Sequence, residues 1–211
     1  RGVQAVTRWS AAWFTAKNIT WQPVNKIRDS ADMFHYLFVD APLGDMSDMQ
    51  RMGVALKAAW LNTRYTTTGG WDNGFKYWLE EYASLGGVTS YNQLLGMNQL
   101  EELQKLTQRK AKGYSLNAYR VYGHLMGRLS MFLEMTTRVS AYRALVEAGV
   151  GPEAAAMYVK NVMNFETKGD LAANMGAFYM FFTSAIYGSA RLLSSLKTRR
   201  GWISLAMLTA F

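Results

Sequence analysis

Apolar positions recur every three or four residues along most of this chain, and alternation with period two is rare. The pattern predicts helices and almost no strand. Val3, Val6, Trp9, Trp13 and Phe14 place a first helix over 1 to about 18. Pro23 fits the first turn of a second helix, where its missing N–H costs nothing; that helix runs to about Val39 and ends before Pro42. Ser47 followed by Gln50 has the spacing of a capping box. It opens a third helix to about Tyr65, with Met52, Leu56, Ala59, Trp60 and Thr63 as the apolar stripe. Residues 66–70 read as a loop, and a fourth helix runs from about Asp72 to Ser84, stopped by Gly86 and Gly87.

The second half repeats these signals at greater length. Residues 88–97 read as a short extended stretch or a single turn. Asn98 with Glu101 is another capping spacing, so a fifth helix reaches about Ala111 before Gly113 breaks it. Leu116, Tyr119, Tyr122, Met126, Leu129, Leu133, Val139, Tyr142 and Val146 predict one long helix over about 115–148. Gly149 and Gly151 stop it, and Pro152–Glu153 restarts a helix to Phe165. Lys168–Gly169–Asp170 is a turn, and a second long helix covers about 171–198. The expected fold is all-α: an irregular bundle of about seven to eight helices. It reads as a single domain, or a fragment of a longer chain, with sub-boundaries near 66–71 and 86–97.

Composition narrows the function classes. The chain has 211 residues, half of them hydrophobic, enough to bury a real core. Zero Cys excludes a disulfide framework, a Cys-ligated zinc site and a thiol nucleophile. The apolar fraction excludes an intrinsically disordered chain. Arg1 to Thr15 has no charged region leading into an apolar stretch, so it does not read as a signal peptide. The sequence ends at Phe211 inside an uncharged run, 202–211, which reads as a piece cut from a longer polypeptide.

Motifs for chemistry are few. His35 and His124 have no ligand at metal spacing and read as core or surface residues. Gly69 and Gly74 have phosphate-loop spacing, but Phe75–Lys76 stand where Lys–Ser/Thr belongs. Glu80–Glu81 and Glu101–Glu102 are neighbours that point to different helix faces and read as solvated. No catalytic centre, metal or cofactor is expected. Net charge is +8, from 23 Lys and Arg against 15 Asp and Glu. Lys105, Arg109, Lys110 and Lys112 form one basic cluster, and Lys197, Arg199 and Arg200 form another. Both are candidate phosphate or lipid contacts, or cations placed at helix C-termini by the helix dipole. From Leu171 to Ala190, 20 positions carry no charge, which fits a buried core helix or a membrane segment.

Several short motifs in order suggest a family. Residues 14–29, FTAKNITWQPVNKIRD, hold Pro23, Asn25, Arg28 and Asp29 in a Pro, Asn-x-x-Arg-Asp pattern. Arg138 and Tyr142 form an R-x-x-x-Y helix motif, and 149–156 reads GVGPEAAA. Asn164 and Phe165 precede Lys168–Gly169, and Phe181, Phe182, Gly188 and Arg191 follow in the last long helix. This order resembles the large polyvalent-protein-associated domain catalogued as 38. Thr183 and Tyr187 depart from its Asn and Gln, and 30–135 matches loosely.

The resemblance implies a bacteriophage protein carried in the virion interior and delivered to the host envelope or cytoplasm with the genome. Its implied partners are other virion proteins or copies of itself, with viral double-stranded DNA and the host inner membrane as further candidates. The domain it implies is non-catalytic. Alternatives are a non-catalytic module of a large phage enzyme, such as a peptidoglycan hydrolase or virion RNA polymerase, and a membrane-inserting segment. The residues themselves read as architectural: Asn25, Arg28 and Asp29 cap or bridge helices, with Arg28 forking onto a carboxylate, and Gly169 supplies a left-handed turn.

Overall fold

A computed structural model describes residues 19–68, 72–88, 114–162, 189 and 193–209. They are helical, with no strand among the described residues. The helices with bounds among the described residues are α1 (Trp21–Val39), α2 (Asp48–Thr68), α3 (Asn73–Ser84), α4 (Tyr114–Glu147), α5 (Pro152–Val162) and α6 (Arg199–Thr209). The all-α expectation holds. The expected first and fifth helices and most of 171–198 lie outside the described residues.

Helix starts follow the predicted chemistry. Ser47 and Gln50 form a reciprocal box: the Ser47 amide donates to Gln50 Oε1 at 2.9 Å, and the Gln50 amide to Ser47 Oγ at 3.3 Å. Asp72 caps α3 by accepting the Gly74 amide at 2.8 Å. Pro152 is the first residue of α5. Gly149 ends the long helix with φ 92, a left-handed conformation that glycine adopts without strain.

Two boundaries differ from expectation. α2 continues to Thr68, because the Thr67 and Thr68 hydroxyls both donate to the Arg64 carbonyl at 2.9 Å and cover the last turn. The predicted loop residues 66–68 are therefore helical. At the other end, 193–195 are helical, 196–198 turn, and α6 starts at Arg199. The chain thus bends where the second long helix was expected to continue to 198.

The core lies where α4 meets α1, α2, α3 and α5. With 34 residues α4 is about 50 Å long. From Met135 to Tyr142 every residue is buried, so this part of the helix is surrounded. Phe75, Tyr82 and Tyr142 pack with Tyr65 and Trp78 in edge and tilted contacts, with ring centroids 5.0 to 6.0 Å apart.

The buried face of α2 corrects the predicted stripe. It consists of Arg51, Val54, Ala55, Ala58, Leu61, Asn62 and Tyr65. Leu56 and Trp60 are 56% and 59% exposed. The inner face holds two polar residues with work to do inside, and that displaced the hydrophobic count. Arg51 donates to the carbonyls of Ala41 and Gly44, both at 2.9 Å, and so fixes the connection from α1.

Candidate functional site

The densest polar constellation among the described residues surrounds Lys26. On α1, Gln22, Lys26, Ser30, Met33 and Leu37 recur with helical spacing and turn inward. Lys26 therefore points into the seam with α2 and α4. Its Nζ donates to Asn62 Oδ1 at 2.5 Å, Thr136 Oγ1 at 2.6 Å, Thr137 Oγ1 at 2.7 Å and the Leu133 carbonyl at 2.8 Å. An ammonium has three protons, so four oxygens over-subscribe it. Asn62 Nδ2 in turn donates to Ser30 Oγ at 2.8 Å, and Ser30 Oγ to the Lys26 carbonyl at 2.6 Å. Side chains and backbone of three helices are closed into one hydrogen-bonded knot.

Local chemistry builds the α4 wall of this knot. Thr136 and Thr137 donate to the Leu133 carbonyl, and Ser140 to the Thr136 carbonyl, which hides hydroxyls on the buried stretch of the helix. Burial pushes the Lys26 amine down to about 7, while the Asp29 carboxylate on the same helix works in the opposite direction. The knot can hold one proton near neutrality.

A second charged network lies at the C-terminal end of α4. Glu147 accepts from Arg143 Nε and pairs with Lys57 Nζ, both at 2.8 Å, and Arg143 also donates to Tyr65 at 2.8 Å. Burial would raise the Glu147 carboxyl, but Lys57 and Arg143 outweigh it and hold the group below its ordinary range. The shift is downward, away from a general acid.

The seam between α1 and α6 is built differently. His35 is buried and its Nδ1 lies 2.8 Å from Ser204 Oγ. Its Nε2 is buried with no hydrogen-bond partner. Thr198 caps α6 by accepting the Gly201 amide at 3.1 Å. Gly201 is required there, because a Cβ would fall 2.0 Å from the Ser195 carbonyl oxygen. Ile203 and Met207 pack on the core, so part of the apolar run 202–211 is covered. Arg200 Nε pairs with Asp48 in the first turn of α2 at 2.6 Å.

The predicted site residues separate into three groups. Lys105, Arg109, Lys110, Lys112, Asn164, Phe165, Gly169, Phe181, Phe182, Gly188 and Arg191 lie outside the described residues. Pro23, Asn25, Arg28 and Asp29 all sit in the first half of α1. Arg28 meets its neighbour Asp29 on the same helix at 3.0 Å. Arg138 and Tyr142 are both buried, with Arg138 paired to Glu134 at 2.7 Å and Tyr142 against Tyr82.

Two readings need correction. Arg199 and Arg200 open a helix, where the dipole opposes cations, so dipole placement at a C-terminus does not explain them. Arg200 is instead matched by Asp48, while Lys197 and Arg199 are exposed. Glu81 is half-buried with Oε2 enclosed, and burial together with its charge raises the Tyr142 hydroxyl. It is not on a fully solvated face.

The Lys26 knot was missed in the sequence. A signal was present: Lys26 falls in register with Met33 and Leu37 on the inner face of α1. Comparison of the chain with protein-family models, characterised proteins and solved structures returned no match.

Proposed function

We propose that this chain is a non-enzymatic structural segment of a large bacteriophage internal virion protein of the DNA-ejection type. It makes protein–protein contacts in the virion core or in a genome-delivery conduit through the host envelope. The order of short motifs from Pro23 to Arg191 supports the phage context. The observation that carries the contact role is the outer face of α2. Met49, Leu56 and Trp60, at positions i, i+7 and i+11, lie in line on that face and are 84%, 56% and 59% exposed. Arg64 stacks over Trp60 at 5.5 Å, adding a cation to an aromatic anchor. Aromatic and Met residues with Arg are the composition of interface centres.

The interior polar groups support architecture as well. Lys26, Asn62, Thr136 and Thr137 spend their hydrogen bonds on one another, on Ser30 and on the Leu133 carbonyl. The exposed Lys197 and Arg199 are the described cations of the second cluster that remain candidates for DNA or the host inner membrane. Sedimentation of the chain alone, and mixed with virion proteins encoded beside it, tests the reading. Association is expected, and Leu56→Glu with Trp60→Glu is expected to weaken it at least tenfold without changing helicity. A chain that stays monomeric and binds neither virion proteins, DNA nor lipid contradicts it.

A further inference from the structure

α1 contributes to two seams, and the one with α6 contains a buried imidazole with a single partner. Either neutral tautomer satisfies the Ser204 contact, since the hydroxyl can donate or accept. A second proton makes both ring nitrogens donors. Nε2–H then sits in an enclosed site where no acceptor faces it. We propose that the α1–α6 seam is an acid-sensitive latch: protonation of His35 releases α6 from the face of α1 while the α1–α2–α4 body stays folded.

The surrounding charges set its direction. On α1, Asp40 favours the cation, and the Tyr36 ring stands T-shaped to the imidazole, 5.2 Å between centroids. From α6 the contact is the neutral Ser204, and the charged group on that helix at the seam is Arg200. From α2 come Asp48, already matched to Arg200, and Arg51, bound to two carbonyls. Tyr158 of α5 is engaged with the Tyr36 carbonyl at 2.9 Å. Burial outweighs Asp40 and lowers the imidazole below its ordinary 6.5. The released state takes up its proton near 6.5 and the docked state only at lower pH. Docking is therefore complete above 6.5 and is progressively lost as pH falls below it. Among the described residues, α6 is also held by Ile203 and Met207 against the core and by the half-exposed Arg200–Asp48 pair.

The absence of Cys allows paired spin labels at chosen sites. Gly53→Cys with Leu208→Cys reports the distance from α2 to α6, and Gly53→Cys with Val121→Cys reports the distance from α2 to α4. Gly53 has open space around a Cβ, and Leu208 and Val121 are exposed. Between pH 7.5 and 5.0 the first distance distribution is expected to lengthen and broaden, with the second unchanged. His35→Asn keeps a hydrogen-bonding group near Nδ1 without titrating, and is expected to hold the pH 7.5 distance at both pH values. An unchanged α2–α6 distance in the unsubstituted-His35 protein overturns the proposal. So does an acid response that persists in His35→Asn, or equal broadening of both label pairs.

Discussion

Lys26 and His35 lie nine residues apart on the same helix and are both inward-facing polar groups, the first partly and the second fully buried, yet they make opposite kinds of seam. Lys26 has four oxygen partners from two other helices. His35 has one, and a second nitrogen with none. An over-subscribed donor ties helices together, because separating them strands several groups at once. A half-satisfied one makes a contact that a single proton can break. α1 thus joins a fixed body on one side and a conditional element on the other.

The largest expected effect comes from cutting the fixed side. Lys26→Met is expected to destabilise the whole chain by about 3 kcal/mol in denaturant unfolding, since it leaves Asn62 and two threonines short of a donor. A neutral or stabilising result breaks the comparison, because desolvation would then outweigh the four bonds. Next comes Gly201→Ala, which forces the start of α6 away from the Ser195 carbonyl. A cost of about 2 kcal/mol is expected, seen as lost amide protection in 199–209 with 135–145 unaffected. Ser204→Ala is expected to cost about 1 kcal/mol with the same local signature.

Titration separates the two seams further. The Lys26 amine falls from 10.5 unfolded to about 7 folded, so between those values the unfolded chain binds more protons. Global stability is expected to rise with pH across that window, and the difference between wild type and Lys26→Met should grow accordingly. The His35 window lies below 6.5. Smallest of all, Trp60→Ala is expected to change folding stability by no more than about 0.5 kcal/mol, because the ring is more than half exposed. A larger loss would place that side chain in the fold and remove it from the proposed contact face.

Periodicity and caps were legible in the sequence. The ends of α4, the Ser47–Gln50 box and the Asp72 start all follow from residues whose local chemistry decides the backbone. The inner face of α2 was not legible, because hydrophobicity counts Leu56 and Trp60 as core and Arg51 and Asn62 as surface. The tertiary partners of Arg51 and Asn62 reverse that order. α6 was hidden for a related reason. Thr198 is an ordinary cap, but the preceding uncharged stretch made one long helix the simpler reading. Long-range hydrogen bonds, such as those from Lys26 to residues more than a hundred positions away, leave no local trace.

The contrast between the two seams is tested most directly by amide exchange of the unmodified chain, corrected for intrinsic rates, at steps from pH 7.5 to 5.0. Residues 199–209 are expected to lose protection below 6.5 while 135–145 keep theirs. Parallel loss in both stretches, or unchanged protection in 199–209, would contradict the account.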